Sequence, residues 1–72
     1  MEMYKITIVL NNNAKTIINE IRYTKWSFAR IEAHFAKKYE GEWDSITVER
    51  LKLDNDNLPF QKVSQRTRKG DN

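Results

Sequence analysis

Cysteine is absent from this 72-residue chain, which holds one proline, two glycines and one histidine. Without cysteine there are no disulfides to brace a small fold and no thiolates for metal or redox chemistry. The two glycines, Gly41 and Gly70, are too few and too far apart for a phosphate-cradling loop. His34 is alone: Glu32, the nearest acid on its predicted helix, lies about 200° away around a helical wheel, so the two share no site. No nucleophile, base and orienting group can be assembled, and the chain reads as a non-enzyme without a cofactor. Asp54-Asn-Asp-Asn57 begins like a calcium loop, but Pro59 stands where that loop needs glycine and Gln65 where it needs a bidentate glutamate. It reads as a turn, and no metal is expected. The uncharged run Ile6 to Leu10 is far too short to cross a bilayer or to form the core of an export signal. A cytoplasmic protein without a membrane contact or an evident small-molecule site is expected.

A chain of this length supplies one domain at most and buries only about 60% of the surface its unfolded form exposes. Its composition, 39% apolar and 32% charged, is polar for a globular domain, so a second subunit is one way to complete the core. Lys, Ile and Asn make up 22 of the 72 residues, a usage of AT-rich coding sequence that points to a low-GC bacterium, its phage or a mobile element.

What is present alternates. Tyr4, Ile6, Ile8 and Leu10 fall on one side of a first strand and Lys5, Thr7 and Val9 on the other; Asn11-Asn-Asn13 follows as a hairpin turn, since asparagine tolerates left-handed backbone. Residues 15–24 fit helix or strand. The β-branched density of Thr16, Ile17, Ile18 and Ile21 favours a second strand, on which Ile17, Ile21 and Tyr23 share a face. Ser27 is the expected N-cap of a helix reaching about Glu40, with Trp26 stapled onto Ile31 and with Phe28, Ile31, Phe35 and Tyr39 forming the packed stripe. Gly41 is placed to end it in a left-handed cap. Residues 45–54 read as a third strand whose apolar phase slips from Ile46 and Val48 to Leu51 and Leu53, the mark of a β-bulge. A turn at 54–57 and a short edge strand at 58–63 follow. The expected fold is α+β, a small antiparallel sheet in the order ββαβ or ββαββ with one helix on one face and the first strand central. The expected domain covers residues 1–63, with 64–72 a basic flexible tail.

Charge is sorted into blocks. Residues 22–39 carry five cations against one anion, residues 40–60 two against six, and residues 61–72 four against one. Arg22, Lys25, Arg30, His34, Lys37 and Lys38 form a basic helix face, to which Arg66, Arg68 and Lys69 of the tail add. The first functional expectation is nucleic-acid contact through these nine residues, strongly salt-dependent and mostly non-specific. Opposing it, residues 1–60 are neutral as a whole, unlike a dedicated nucleic-acid module. The alternative is a protein-interaction module, a homodimer or a small inhibitor of a host protein, using an open sheet edge and complementary charge blocks. Tyr23, Trp26 and Trp43 divide between core packing, a protein interface and base stacking.

Overall fold

The computed structural model describes residues 1–51 and 60–68. Five elements follow one another: β1 (Glu2–Leu10), β2 (Ile17–Thr24), α1 (Phe28–Lys38), β3 (Trp43–Leu51) and β4 (Phe60–Thr67). They form an α+β fold of order ββαββ, with an antiparallel sheet of strand order β2-β1-β3-β4. β1 is central, as its apolar alternation implies: Tyr4, Ile6 and Ile8 are buried towards the helix, while Lys5, Thr7 and Val9 lie on the other face.

Residues 15–24 resolve as loop and strand, because β2 pairs with β1 from Val9↔Ile17 to Glu2↔Thr24. The hairpin between them closes with the Leu10 N–H donating to the Thr16 carbonyl at 2.8 Å. The left-handed position falls on Lys15 (φ 52°) and not on an asparagine. The asparagines work through side chains instead: Asn12 Oδ1 accepts from the Thr16 N–H at 3.0 Å and Asn12 Nδ2 donates to Thr16 Oγ1 at 2.9 Å.

Ser27 caps α1, its Oγ accepting from the Arg30 N–H at 3.2 Å. The helix ends at Lys38, two residues earlier than its apolar period suggests, and Gly41 takes the left-handed backbone after it (φ 81°). Ile31 and Phe35 are buried, with Tyr39 packed beside them; Phe28, expected in this stripe, is instead 37% exposed at the first helical position, outside the buried stripe that begins at Ile31. Trp26 packs at the margin of the core, its ring set against His34 and Arg30. Trp43 completes the core from β3 and donates its indole N–H to the Ala36 carbonyl at 3.2 Å.

Two register shifts shape the sheet, and neither is the bulge read from Leu51 and Leu53. One sits at Asp44, between Val9↔Ser45 and Leu10↔Trp43, and turns Trp43 inward. The other leaves Val63 of β4 unpaired, between Val48↔Ser64 and Glu49↔Lys62. β3 runs straight against β1 from Ser45 to Arg50, so Leu51 keeps the parity of Ser45, Thr47 and Glu49 and falls on the face away from the helix. Leu53, the turn at 54–57 and the start of the expected edge strand at 58–59 lie outside the described residues.

The boundary expected at residue 63 falls inside β4, which runs on to Thr67. Polar Ser64 to Thr67 show no apolar period, yet strand pairing uses the backbone and needs none. Their side chains also find partners. Ser64 Oγ donates to Glu32 Oε2 at 3.1 Å, Arg66 Nη2 donates to Glu32 Oε1 at 3.1 Å, and the Arg68 N–H donates to the Asp44 carbonyl at 2.8 Å.

Candidate functional site

Two surfaces are candidates, one on each side of the sheet. On the helix side, α1 packs mainly over β3 and β4. Its Glu32 side is turned to β4, and the opposite flank, carrying Arg30, His34 and Lys38 at four-residue spacing, is turned towards β2. Arg22 on β2 joins this flank: its guanidinium stands 5.3 Å from the centre of the Phe35 ring and its Nε donates to Glu20 Oε2 at 2.6 Å. Lys38 Nζ lies 5.9 Å from the same ring and 5.6 Å from that of Tyr39. Arg30 sits 4.2 Å from the Trp26 ring, and the His34 ring meets Trp26 and Phe35 edge-on at 5.4 and 5.0 Å. Lys25 and Lys37 are exposed at the two ends of the helix.

Arg66 of β4 and Arg68 just beyond it do not join them. Arg66 is bound to Glu32 on the other flank of α1, and Arg68 lies 4.5 Å from the Trp43 ring. Lys69 lies outside the described residues. Of the acids in residues 40–60, Glu40 and Glu42 lie exposed beyond the helix C-terminus with Asp44, which pairs with Lys15 at 2.7 Å, while Glu49 lies on the outer face of β3 and Asp54 and Asp56 fall outside the described residues. Among the described residues no group of three or more His, Cys, Asp or Glu is arranged to hold a metal ion, and no helix is long and apolar enough to cross a membrane.

The second surface is the face of the sheet away from α1, which no other described element covers. Its pairings set Met3 beside Tyr23, Lys5 between Ile21 and Glu49, Thr7 between Asn19 and Thr47, and Val9 between Ile17 and Ser45. On β4, Phe60 lies beside Leu51, Lys62 beside Glu49, Gln65 beside Thr47 and Thr67 beside Ser45. The face is therefore divided. Serine, threonine, glutamine, Glu49 and Lys62 occupy most of its β3 and β4 side, with Leu51 and Phe60 at one end, while β2 presents Ile17, Ile21 and Tyr23, respectively 59, 55 and 65% exposed. An open depression lined by Met1, Met3, Tyr23 and Leu51 continues the apolar strip at one end.

β2 is also an edge strand: its one neighbour among the described residues is β1. Leu10 and Thr16 form a hydrogen-bonded pair in the hairpin, so the alternation of antiparallel pairs makes Ile18, Glu20, Arg22 and Thr24 the residues bonded to β1. The backbone N–H and C=O groups of Ile17, Asn19, Ile21 and Tyr23 point outward. The most exposed apolar side chains of the sheet thus sit on the residues whose backbone is free to pair.

The chain matches no protein-family model, no curated protein and no solved structure. The site has to be read from its own geometry.

Alternation along β2 groups Ile17, Ile21 and Tyr23 on one face without fixing which face that is. The hairpin decides it. Leu10 lies opposite Thr16, so even residues of β1 oppose even residues of β2, and the odd-numbered Ile17, Ile21 and Tyr23 share the outer face with Lys5, Thr7 and Val9. A loop shifted by one residue reverses every one of them. The five residues between Leu10 and Thr16 are the signal that was available.

Proposed function

We propose that this protein is a non-enzymatic, cytoplasmic protein-interaction module that docks its partner along the outer edge of β2 and the adjoining apolar strip. One observation carries the reading: an edge strand with outward backbone groups bears three large apolar side chains more than half exposed. Natural sheets blunt such edges with charge, proline or a covering element, and a long exposed apolar edge is otherwise an aggregation site. Support also comes from the contrast with β4, the other edge, whose Gln61, Lys62, Gln65, Arg66 and Thr67 are exposed and polar. Strand addition supplies affinity through the backbone, and Ile17, Ile21 and Tyr23 supply selectivity through alternate side chains.

The test is position-specific. A photo-crosslinking phenylalanine analogue replaces Tyr23 on the outer face of β2 or Gln65 on the outer face of β4, in cells that express the chain. Adducts from position 23 and none from position 65 are expected. No adduct from position 23, or the same adducts from both, refutes the reading.

A second reading, nucleic-acid contact, has its own observation in the row Arg30, His34 and Lys38 with Arg22, Lys25 and Lys37. It loses the C-terminal cations, since Arg66 is engaged by Glu32 and Arg68 lies over the Trp43 ring. Four or five phosphate contacts remain, so affinity for a duplex should fall steeply between 50 and 200 mM salt, by roughly two or three powers of ten. Binding that is absent at low salt or indifferent to salt dismisses it.

A further inference from the structure

We infer that the partner seated on the β2 edge is a second copy of this chain, paired antiparallel about a two-fold axis at Ile21; this rests on the edge-docking reading above. Register selects this pairing. Residues facing one another across an antiparallel pair share a face, so the numbers of two opposed β2 residues must sum to an even value. A pairing centred on Ile21 sets Ile21 against Ile21 of the second copy once, on the axis, and Asn19 against Tyr23 and Glu20 against Arg22 twice each by symmetry. A pairing centred one residue earlier puts Glu20 against Glu20. Centred one residue later, it puts Arg22 against Arg22. Like charges directly opposite are destabilising and opposite charges stabilising, so the strand's own sequence selects the Ile21-centred register from its two neighbours.

The backbone agrees with this choice. Asn19, Ile21 and Tyr23 carry outward N–H and C=O groups, as derived from the bonded Leu10 and Thr16 pair. Three hydrogen-bonded residue pairs form across the axis: Ile21 with its copy, and Asn19 with Tyr23 twice. The Glu20 and Arg22 pairs then occupy the positions between, where the strands and side chains approach most closely. Glu20 and Arg22 already contact each other within one chain at 2.6 Å. In the dimer, acid and base alternate around the axis in a ring of four. The result is one eight-stranded sheet, and both helices lie on the same face because the axis is perpendicular to the sheet. α1 leans over β3 and β4, away from the joined edge.

Charge exchange tests the pairing. Glu20→Arg and Arg22→Glu, each alone, set like charges across the axis and should weaken self-association at least tenfold by sedimentation velocity. Mixed together, the two variants should associate with each other as the unaltered chain does with itself, since every Arg then meets a Glu. A mixture that stays monomeric, or single variants that dimerise unchanged, overturns the inference. Exposed positions give a second measurement that spares the ion pair. The chain has no cysteine of its own. Ile21→Cys should crosslink to its copy on mild oxidation, with Cα atoms about 5.5 Å apart. Ile17→Cys should not, because the two copies of residue 17 lie about eight residues apart along the strands, roughly 27 Å. Equal crosslinking at both positions, or none at 21, again overturns the pairing. Should the dimer fail while position 23 still yields adducts with another protein, edge docking stands and self-pairing alone is refuted.

Discussion

Replacing Glu32 by alanine separates a β4 held by the helix from a loose C-terminal segment. The Glu32 side chain is 15% exposed and receives two donors from β4, Ser64 Oγ and Arg66 Nη2, each at 3.1 Å. A part-buried hydrogen bond to a charged acceptor contributes about 1.5–3 kcal/mol. The Arg66 side chain is 47% exposed, so its ion pair adds no more than about 1 kcal/mol. Glu32→Ala should therefore cost about 2–3 kcal/mol, against a total stability of about 4–11 kcal/mol for a chain of this length. The midpoint of thermal unfolding should fall by roughly 10–20 °C. Circular dichroism under urea and heat reads the loss, and double-mutant cycles apportion it. Coupling of Glu32 to Ser64 should exceed its coupling to Arg66, and only the latter should shrink in 1 M salt. A Glu32→Ala change within about 0.3 kcal/mol of the unaltered chain, with a chain cut after Val63 melting at the same temperature, refutes the reasoning.

Phe35 is 1% exposed and lies at the centre of the helix contact, so Phe35→Ala should cost about 3–5 kcal/mol and abolish the near-ultraviolet dichroism of the packed aromatics at 37 °C. Gly41→Ala meets no atom within 4 Å but must adopt φ 81°, so its cost should be strain alone, about 1 kcal/mol, with Gly41→Asn closer to neutral in the same melts. Trp43→Phe removes the indole N–H bonded to the Ala36 carbonyl and should cost about 1–2 kcal/mol by urea denaturation, more than the loss of apolar area implies.

Much of the fold was legible because it is local. Strand period at Tyr4 to Leu10 and a serine before a helical stripe are short-range signals, and each stands where it was expected; the glycine takes its left-handed backbone, but past a helix whose C-cap is Tyr39. The polar end of β4 was not legible, since its pairing with β3 uses backbone groups that every residue carries, and its anchor Glu32 lies more than thirty residues away. The slip at Leu51 misled for a related reason: an apolar residue on the wrong parity looks like a bulge, whereas here it faces outward beside Phe60. Arg30, His34 and Lys38 share one flank of the helix, but joining them to Arg22 and separating them from Arg66 and Arg68 required the path of the chain.

The sequence by itself determined β1 and its central place, the capped helix and the sorting of charge along the chain, because alternation, caps and charge are properties of neighbours; that residues 15–24 form a strand and that β4 runs on to Thr67 came from the pairing of the sheet. Only the tertiary structure decided which side of β2 meets solvent. That choice rests on the parity of one hairpin closure between Leu10 and Thr16, and it puts the shared face of Ile17, Ile21 and Tyr23 on the exposed side of an edge strand.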